Sequence, residues 1–146
     1  MNEVSLSDIH FVEDSNDEVF VSRLLLKKQR IGINLVHHSG MSSFRAALDA
    51  KPADAIMLAF VDLNMPAMKG TEIIASILDK AKDDVIMGIC SGSEDPEDIR
   101  LSFNAGASFF VNKPLGRQAI ENVCKSVSRL SLRENADESV DIIVRS

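Results

Sequence analysis

Five side chains in this sequence could do chemistry together: Glu13, Asp14, Asp62, Ser91 and Lys113. Each follows a short apolar run, and the run before Asp62, Met57 to Val61, carries no charge. A single Asp after a strand is ordinarily a helix cap or turn former. Three carboxylates gathered at one place are a different matter, because each pair repels by about 4 kcal/mol at about 4 Å with an effective dielectric of about 20. One of them is then protonated or a cation fills the gap. Mg²⁺ suits such a set, since it takes oxygen ligands, keeps several waters and binds through a few carboxylates plus a substrate phosphate. Lys113 offers a fixed positive charge, and Ser91 a hydroxyl donor, to an oxyanion placed on Asp62. Carboxylates accept phosphoryl groups in covalent catalysis, so the set describes an acyl phosphate forming on Asp62.

These groups can meet only if the chain brings distant segments to one rim. Short apolar runs (Ile9 to Val12, Ile33 to Val36, Ala55 to Val61, Val85 to Cys90, Ser108 to Val111) alternate with segments of helical period. That alternation predicts an α/β fold around a parallel sheet. The first helix opens on the Ser15/Glu18 capping box, carries Val19, Leu24, Leu25 and Leu26, and stops at Gly32. The second runs from about Ser42, shows Phe44, Ala47 and Leu48, and is closed by Pro52. The third, from about Thr71, presents Ile73, Ile74, Ile77, Leu78 and Ala81. Asp95 caps the fourth, with Pro96 at its first position, Ile99 and Phe103 inward and Gly106 as the stop. The fifth spans about Gly116 to Leu130 with Ile120, Val123, Cys124, Val127 and Leu130 on one face. In an open parallel sheet with right-handed crossovers, ligands sit beyond the carboxyl ends of the strands, where the five polar residues stand.

The bulk properties agree. A chain of 146 residues, 45% hydrophobic and 26% charged, is one ordinary globular domain. The net charge of −6 excludes the cationic face that nucleic acids and anionic membranes require. No apolar stretch approaches the roughly 18 residues of a spanning helix, and the first ten residues lack a signal peptide's basic start and apolar core. A cytoplasmic location is expected. Cys90 and Cys124 read as reduced core thiols, and His10, His37 and His38 lack the partners and spacing of a zinc site. Phe109 and Phe110 are adjacent on one strand, so only one of them faces each side of the sheet. Residues 131–146, polar at first and apolar from Val140 to Val144, read as a frayed tail, or else as an extension of the last helix or a segment packed on a neighbour.

Taken in order, Phe11-Val-Glu-Asp-Ser15, Val61-Asp-Leu-Asn-Met-Pro66, Ser91-Gly92 and Phe110-Val-Asn-Lys-Pro114 resemble the receiver domain of two-component response regulators. The resemblance covers residues 8–130, leaving 1–7 as an N-terminal segment and 131–146 as a tail. It implies a flavodoxin-like fold of five βα units with strand order 2-1-3-4-5 and helices on both faces. It further implies Asp62 as phosphoacceptor, Asp14 as a direct Mg²⁺ ligand, Glu13 as an acidic partner acting through water, and the backbone carbonyl of Asn64 completing the metal site. Ser91 corresponds to the switch hydroxyl, Phe110 to the switch aromatic, Lys113 to the phosphate-pairing lysine, and Lys113–Pro114 to a cis peptide.

The implied activity is transfer of a phosphoryl group from a sensor histidine kinase or phosphotransfer protein. The face of the fourth helix, fifth strand and fifth helix then switches for docking of a downstream target, dimerisation or phosphorelay. Some positions depart from the family pattern: Gly92 stands where Ala is common, and Phe110 lacks the hydroxyl of a Tyr. Lys69-Gly70 and Ser39-Gly40 replace the frequent Asp-Gly. Two other readings compete: a module that binds partners without phosphorylation, and a receiver cut from a larger regulator. An aspartate-nucleophile phosphatase is disfavoured, because it needs a second Asp where Asn64 stands.

Overall fold

The computed structural model describes residues 2–78 and 84–145. Its elements run β1 (Glu3–Ser5), β2 (Asp8–Val12), α1 (Asn16–Lys28), β3 (Asn34–His38), α2 (Met41–Ala50), β4 (Met57–Asp62) and α3 (Gly70–Leu78). They continue with β5 (Val85–Ser91), α4 (Pro96–Asn104), β6 (Phe110–Asn112), α5 (Arg117–Ser126), β7 (Leu130–Glu134) and β8 (Val140–Arg145). The central sheet has five strands in the order β3-β2-β4-β5-β6, all parallel. Counted over those five strands alone, this is the expected order 2-1-3-4-5.

Two-residue alternation sorts the strand side chains into two layers. Ile9, Phe11, Leu58, Phe60, Cys90 and Val111 pack with Val19 and Leu26 of α1 and Ile120 and Val123 of α5. Val12, Ala59, Val61, Met87 and Ile89 pack with Phe44 of α2 and Ile73, Ile74 and Ile77 of α3. Phe109 is buried against Phe60 at a centroid distance of 5.1 Å, so it is the core aromatic, while Phe110 is half-buried on the opposite layer. The facing position on β5 is Gly88, where a Cβ would come within 2.4 Å of the Phe109 ring.

Helix ends follow local chemistry. Ser15 Oγ accepts the Glu18 amide at 3.3 Å, and Asp95 Oδ1 accepts that of Glu97 at 2.9 Å. Lys51, extended ahead of Pro52, closes α2. Gly106, at φ +108°, follows α4.

Four expectations need correction. The left-handed residue that ends α1 is Arg30 (φ 57°), not Gly32; Gly32 instead lets β8 approach, donating its amide to the Val140 carbonyl at 2.7 Å. Leu24 is 58% exposed and Phe103 is 46% exposed, because each lies on the solvent side of its helix; Ser102 takes the inward place on α4. The last helix stops at Ser126, and Leu130 begins a strand. Residues 131–145 are not a frayed tail: β7 and β8 form a hairpin that pairs with β1 in a three-stranded antiparallel sheet, β1-β8-β7. The cause is burial, since Leu130, Val140, Ile142 and Val144 enter the same core as Ile9 and Phe11. The domain therefore uses both segments assigned outside it. Ala81 lies outside the described residues.

Behind α2, the stacked rings of His10 and His38 are bonded, Nδ1 to Nε2, at 2.9 Å, and His38 Nδ1 meets Ser43 Oγ at 2.6 Å. Burial, with the neighbouring His10 and His37, holds the His38 imidazole down at about 4.

Two predictions follow from this packing. Ile142→Ala should cost about 2–4 kcal/mol in urea unfolding, where a frayed tail would lose almost nothing. His38 has a depressed folded pKa, so its contribution is complete above pH 6.5 and is lost as pH falls through about 4. The stability gap between wild type and His38→Gln should therefore narrow on the order of 2 kcal/mol across that window.

Candidate functional site

Parallel pairing fixes where the strands end relative to one another. Val12 lies opposite Val61, Asp62 opposite Cys90, and Ser91 opposite Asn112. One step past each strand therefore reaches Glu13 beside Asp62, and Lys113 beside Ser91, whose carbonyl accepts the Lys113 amide at 2.9 Å. The sequence segments that had to converge do so.

The centre of the arrangement is the Lys113 ammonium. It stands 2.5 Å from Glu13 Oε1 and 3.0 Å from Asp62 Oδ1, with the lysine side chain largely covered. Glu13 is buried, and Asp14 lies at the solvent edge. Carboxylate oxygens of Glu13, Asp14 and Asp62 all fall within 4.8 Å of one another. Burial, opposed by Lys113 and reinforced by Asp62, pushes the Glu13 carboxyl up to about 7. Burial works against the Lys113 ammonium too, yet its bonds to Glu13 and Asp62 hold its pKa above the usual lysine range. Burial also pushes the neighbouring Cys90 thiol up to about 12, which keeps it protonated and inert.

This donor set fits a hard divalent cation. It is all oxygen, it carries three carboxylates against one ammonium, and Glu13 holds a proton unusually well when no further positive charge is present. Glu13, Asp14 and Asp62 are the groups that would hold the ion.

The loops around the cluster are tightly specified. The Gly70 amide donates to the Leu63 carbonyl at 2.9 Å, and Asn64 bridges to Lys69, which curls the chain back after Asp62. Asn64 thus lies two residues beyond Asp62 on a fixed loop. Ser91 is buried, and its hydroxyl accepts the Ser93 amide at 3.0 Å. Ser93 Oγ in turn donates to Asp98 Oδ2 at 2.8 Å and accepts the Asp95 amide at 3.1 Å. The cap of α4 is Asp95, so Ser91 is free of that duty. A Cβ added at Gly92 would meet nothing within 4 Å, which leaves the space beside Ser91 open. The Lys113–Pro114 peptide is cis, as the resemblance implied. Three features lay outside the sequence reading: the His37 Nε2 bond to the Glu13 carbonyl at 2.6 Å, the Ser93–Asp98 tie, and the bond from Asn112 to Glu94 at 2.8 Å. His37 stands one residue after the apolar run that marked β3, a position that pointed to the same rim.

A five-stranded, doubly wound parallel sheet of this strand order, with a carboxylate cluster and a lysine at its carboxyl rim, defines a flavodoxin-like α/β fold. Comparison with known proteins narrows this. The model of the response regulator receiver domain matches residues 9–125. The chain belongs to that family, whose members are signalling domains that interact with histidine kinases or phosphotransfer proteins and with downstream targets. A probable cyclic di-GMP phosphodiesterase of Vibrio cholerae serotype O1 is 32% identical over 117 residues, 79% of this chain. The match covers 25% of that protein, so the chain spans about a quarter of the length of this curated relative. Among solved structures, a response regulator from Thermotoga maritima is similar with a TM-score of 0.66 at 22% identity, covering 84% of this chain and 98% of that one. The chemotaxis response regulator CheY4 of Vibrio cholerae gives 0.63 at 19% identity, covering 86% and 98%. Among the described residues, no helix is long and apolar enough to cross a membrane.

The two glycines make opposite predictions. A Cβ at Gly70 would fall 2.4 Å from the Asp62 carbonyl oxygen. Gly70→Ala should therefore cost on the order of 1–3 kcal/mol in urea unfolding and shift the Asp62 amide resonance, while Gly92→Ala should leave stability within about 0.5 kcal/mol.

Proposed function

We propose that the chain is a phosphoacceptor that takes a phosphoryl group onto Asp62 from the phosphohistidine of a sensor kinase or phosphotransfer protein. The observation that carries this reading is the single ammonium of Lys113, bridging Asp62 and Glu13 at the rim. In the transfer, the bond between histidine nitrogen and phosphorus breaks as a bond from an Asp62 carboxylate oxygen forms, and the imidazole leaves with the electron pair. Lys113 already stands beside the acceptor oxygen and pairs with the added charge without reorganisation. Asp14, Glu13, Asp62 and the carbonyl of Asn64 would hold Mg²⁺, which would supply charge neutralisation for the phosphoryl oxygens.

Catalysis of its own phosphorylation and dephosphorylation follows from the same groups. A donor reaching Asp62 must rest on the elements around the rim. One of them is α1, which leans on the loop before α5 through the Leu115 amide and Ser22 Oγ at 3.2 Å. Phe20, Val21 and Leu24 of α1 are exposed apolar groups suited to such a partner.

Output runs through Ser91. Its hydroxyl is a donor the phosphoryl group can recruit, at the cost of the bond from the Ser93 amide, and Ser93 is tied to Asp98 on α4. Phe110, half-buried one strand away, then has room to follow, and the face of α4, β6 and α5 repacks for a target, a second copy or a relay partner.

Asp62→Asn should abolish acid-labile phosphate incorporation from acetyl phosphate with Mg²⁺, with the fold preserved by circular dichroism. Undiminished labelling of that variant would remove Asp62 from its role and favour a module that works without phosphorylation.

A further inference from the structure

The end of the sheet opposite Asp62 carries a second constellation. In the ladder between β1 and β8, Val4 lies opposite Val144, and Leu6 donates its amide to the Ile142 carbonyl at 2.8 Å. Antiparallel strands alternate the direction of their backbone groups, so Val4, like Leu6, turns its amide and carbonyl toward β8. Glu3 and Ser5 therefore turn theirs away. The β8 side agrees, since Arg145, opposite Glu3, spends its amide on the Arg129 carbonyl at 2.9 Å. As β1 is the outer strand of its sheet, Glu3 and Ser5 present two donors and two acceptors along an open edge.

That edge borders a cavity of about 680 Å³. Apolar groups from Val4, Leu6, Ile56, Met57 and Val144 line it, and Val4 is 55% exposed. Asp8 and Asp54 add negative charge at its margin. The cation on that margin, Lys51, is turned inward to its own loop, bonded to the Pro52 and Ala55 carbonyls at 3.0 and 2.7 Å.

We propose that this edge and cavity form a docking site for an extended segment of another protein, an aliphatic residue with a basic one two positions to either side. Such a strand would pair with Glu3 and Ser5, and the residue opposite Val4 would project beside it into the apolar lining. Lysine or arginine side chains two positions to either side of it share its face and would reach towards Asp8 and Asp54, a complementarity that an acidic strand, or a second copy of β1 with its own Glu3, does not offer.

The probe is a capped heptapeptide, Thr-Lys-Thr-Val-Thr-Lys-Thr, titrated into the full chain by calorimetry and NMR. Saturable one-to-one binding with shifts at Val4, Ser5 and Met57 is expected. Ser5→Pro deletes an outward amide and leaves the pairing with β8 intact, so it should weaken binding at least about tenfold. Asp54→Lys, on the exposed loop, should weaken the lysine peptide and strengthen its glutamate counterpart, which keeps the test open if the proline variant folds poorly. The proposal is overturned by absence of saturable binding, by unchanged affinity in both variants, or by a concentration-dependent dimer in ultracentrifugation that Ser5→Pro removes, since the edge would then belong to a second copy.

Discussion

One ammonium group organises this molecule's polar end. Lys113 pairs with two buried or nearly buried carboxylates from different strands, Glu13 after β2 and Asp62 closing β4. Two negative charges stand against one positive, and the Glu13 carboxyl, through its burial and to a lesser degree the neighbouring Asp62 charge, holds its proton more tightly in spite of Lys113. A site in that condition gains from any added positive charge and is prepared for an added anion only where the lysine already stands. The lysine is held there by backbone: its amide extends the β5–β6 pairing by one residue, through the Ser91 carbonyl. Position, charge and burial at the rim thus all descend from strand register.

The same register explains what could be read from the sequence. Strands β4 and β5 are buried along their whole length, so they appear as continuous apolar runs, and the polar residue that closes each marks the rim; β2 is interrupted by exposed Asp8 and half-buried His10. Asp62 and Ser91 were legible for that reason, Glu13 as the first residue after the apolar Val12, and Lys113 one step beyond Asn112 after a shorter run. The strand order was not, because alternation of strands and helices permits several orders; resemblance supplied it. The hairpin of β7 and β8 was hidden by a competing pattern. Ile120, Val123, Cys124, Val127 and Leu130 continue a helical period without any Gly or Pro to stop it. Yet the strand signal was present: Leu130 and Leu132 alternate with Ser131 and Arg133, a polar turn follows, and Val140, Ile142 and Val144 alternate again. Tertiary burial decided in its favour. Leu24 and Phe103 show the converse limit, since periodicity finds an apolar position but cannot tell which side of a two-sided helix meets the core.

The helices differ in how firmly they are held. Ile73, Ile74 and Ile77 anchor α3, and Ala119, Ile120 and Val123 anchor α5, whereas the fully buried residue of α4 is Ser102, whose hydroxyl turns back to the Asp98 carbonyl at 2.7 Å. With Leu101 and Phe103 in solvent, α4 relies on polar ties at its start: Asp95, the Ser93–Asp98 bond and, beside it, Glu94 with Asn112. Each such tie contributes about 1 kcal/mol net. An element held by a few bonds of that size is the one that a change of a few kcal/mol would shift first.

The two ends of the sheet are therefore built on opposite principles. At the carboxyl ends, charge is concentrated and partly unbalanced, and the adjoining helix is weakly held. At the amino ends, β1, β7 and β8 add aliphatic residues to the core and tie the first described residues to the last through Glu3 and Arg145, 3.9 Å apart. The pairing of β1 with β8 closes that end of the sheet, and the dense core between the two ends couples them mechanically. Val140, bonded to the carbonyl of Arg30 and the amide of Gly32, also fixes the turn that leads into β3, and His37 at the far end of β3 reaches the Glu13 carbonyl. The appended sheet thus ties directly into the strand that borders the acidic cluster.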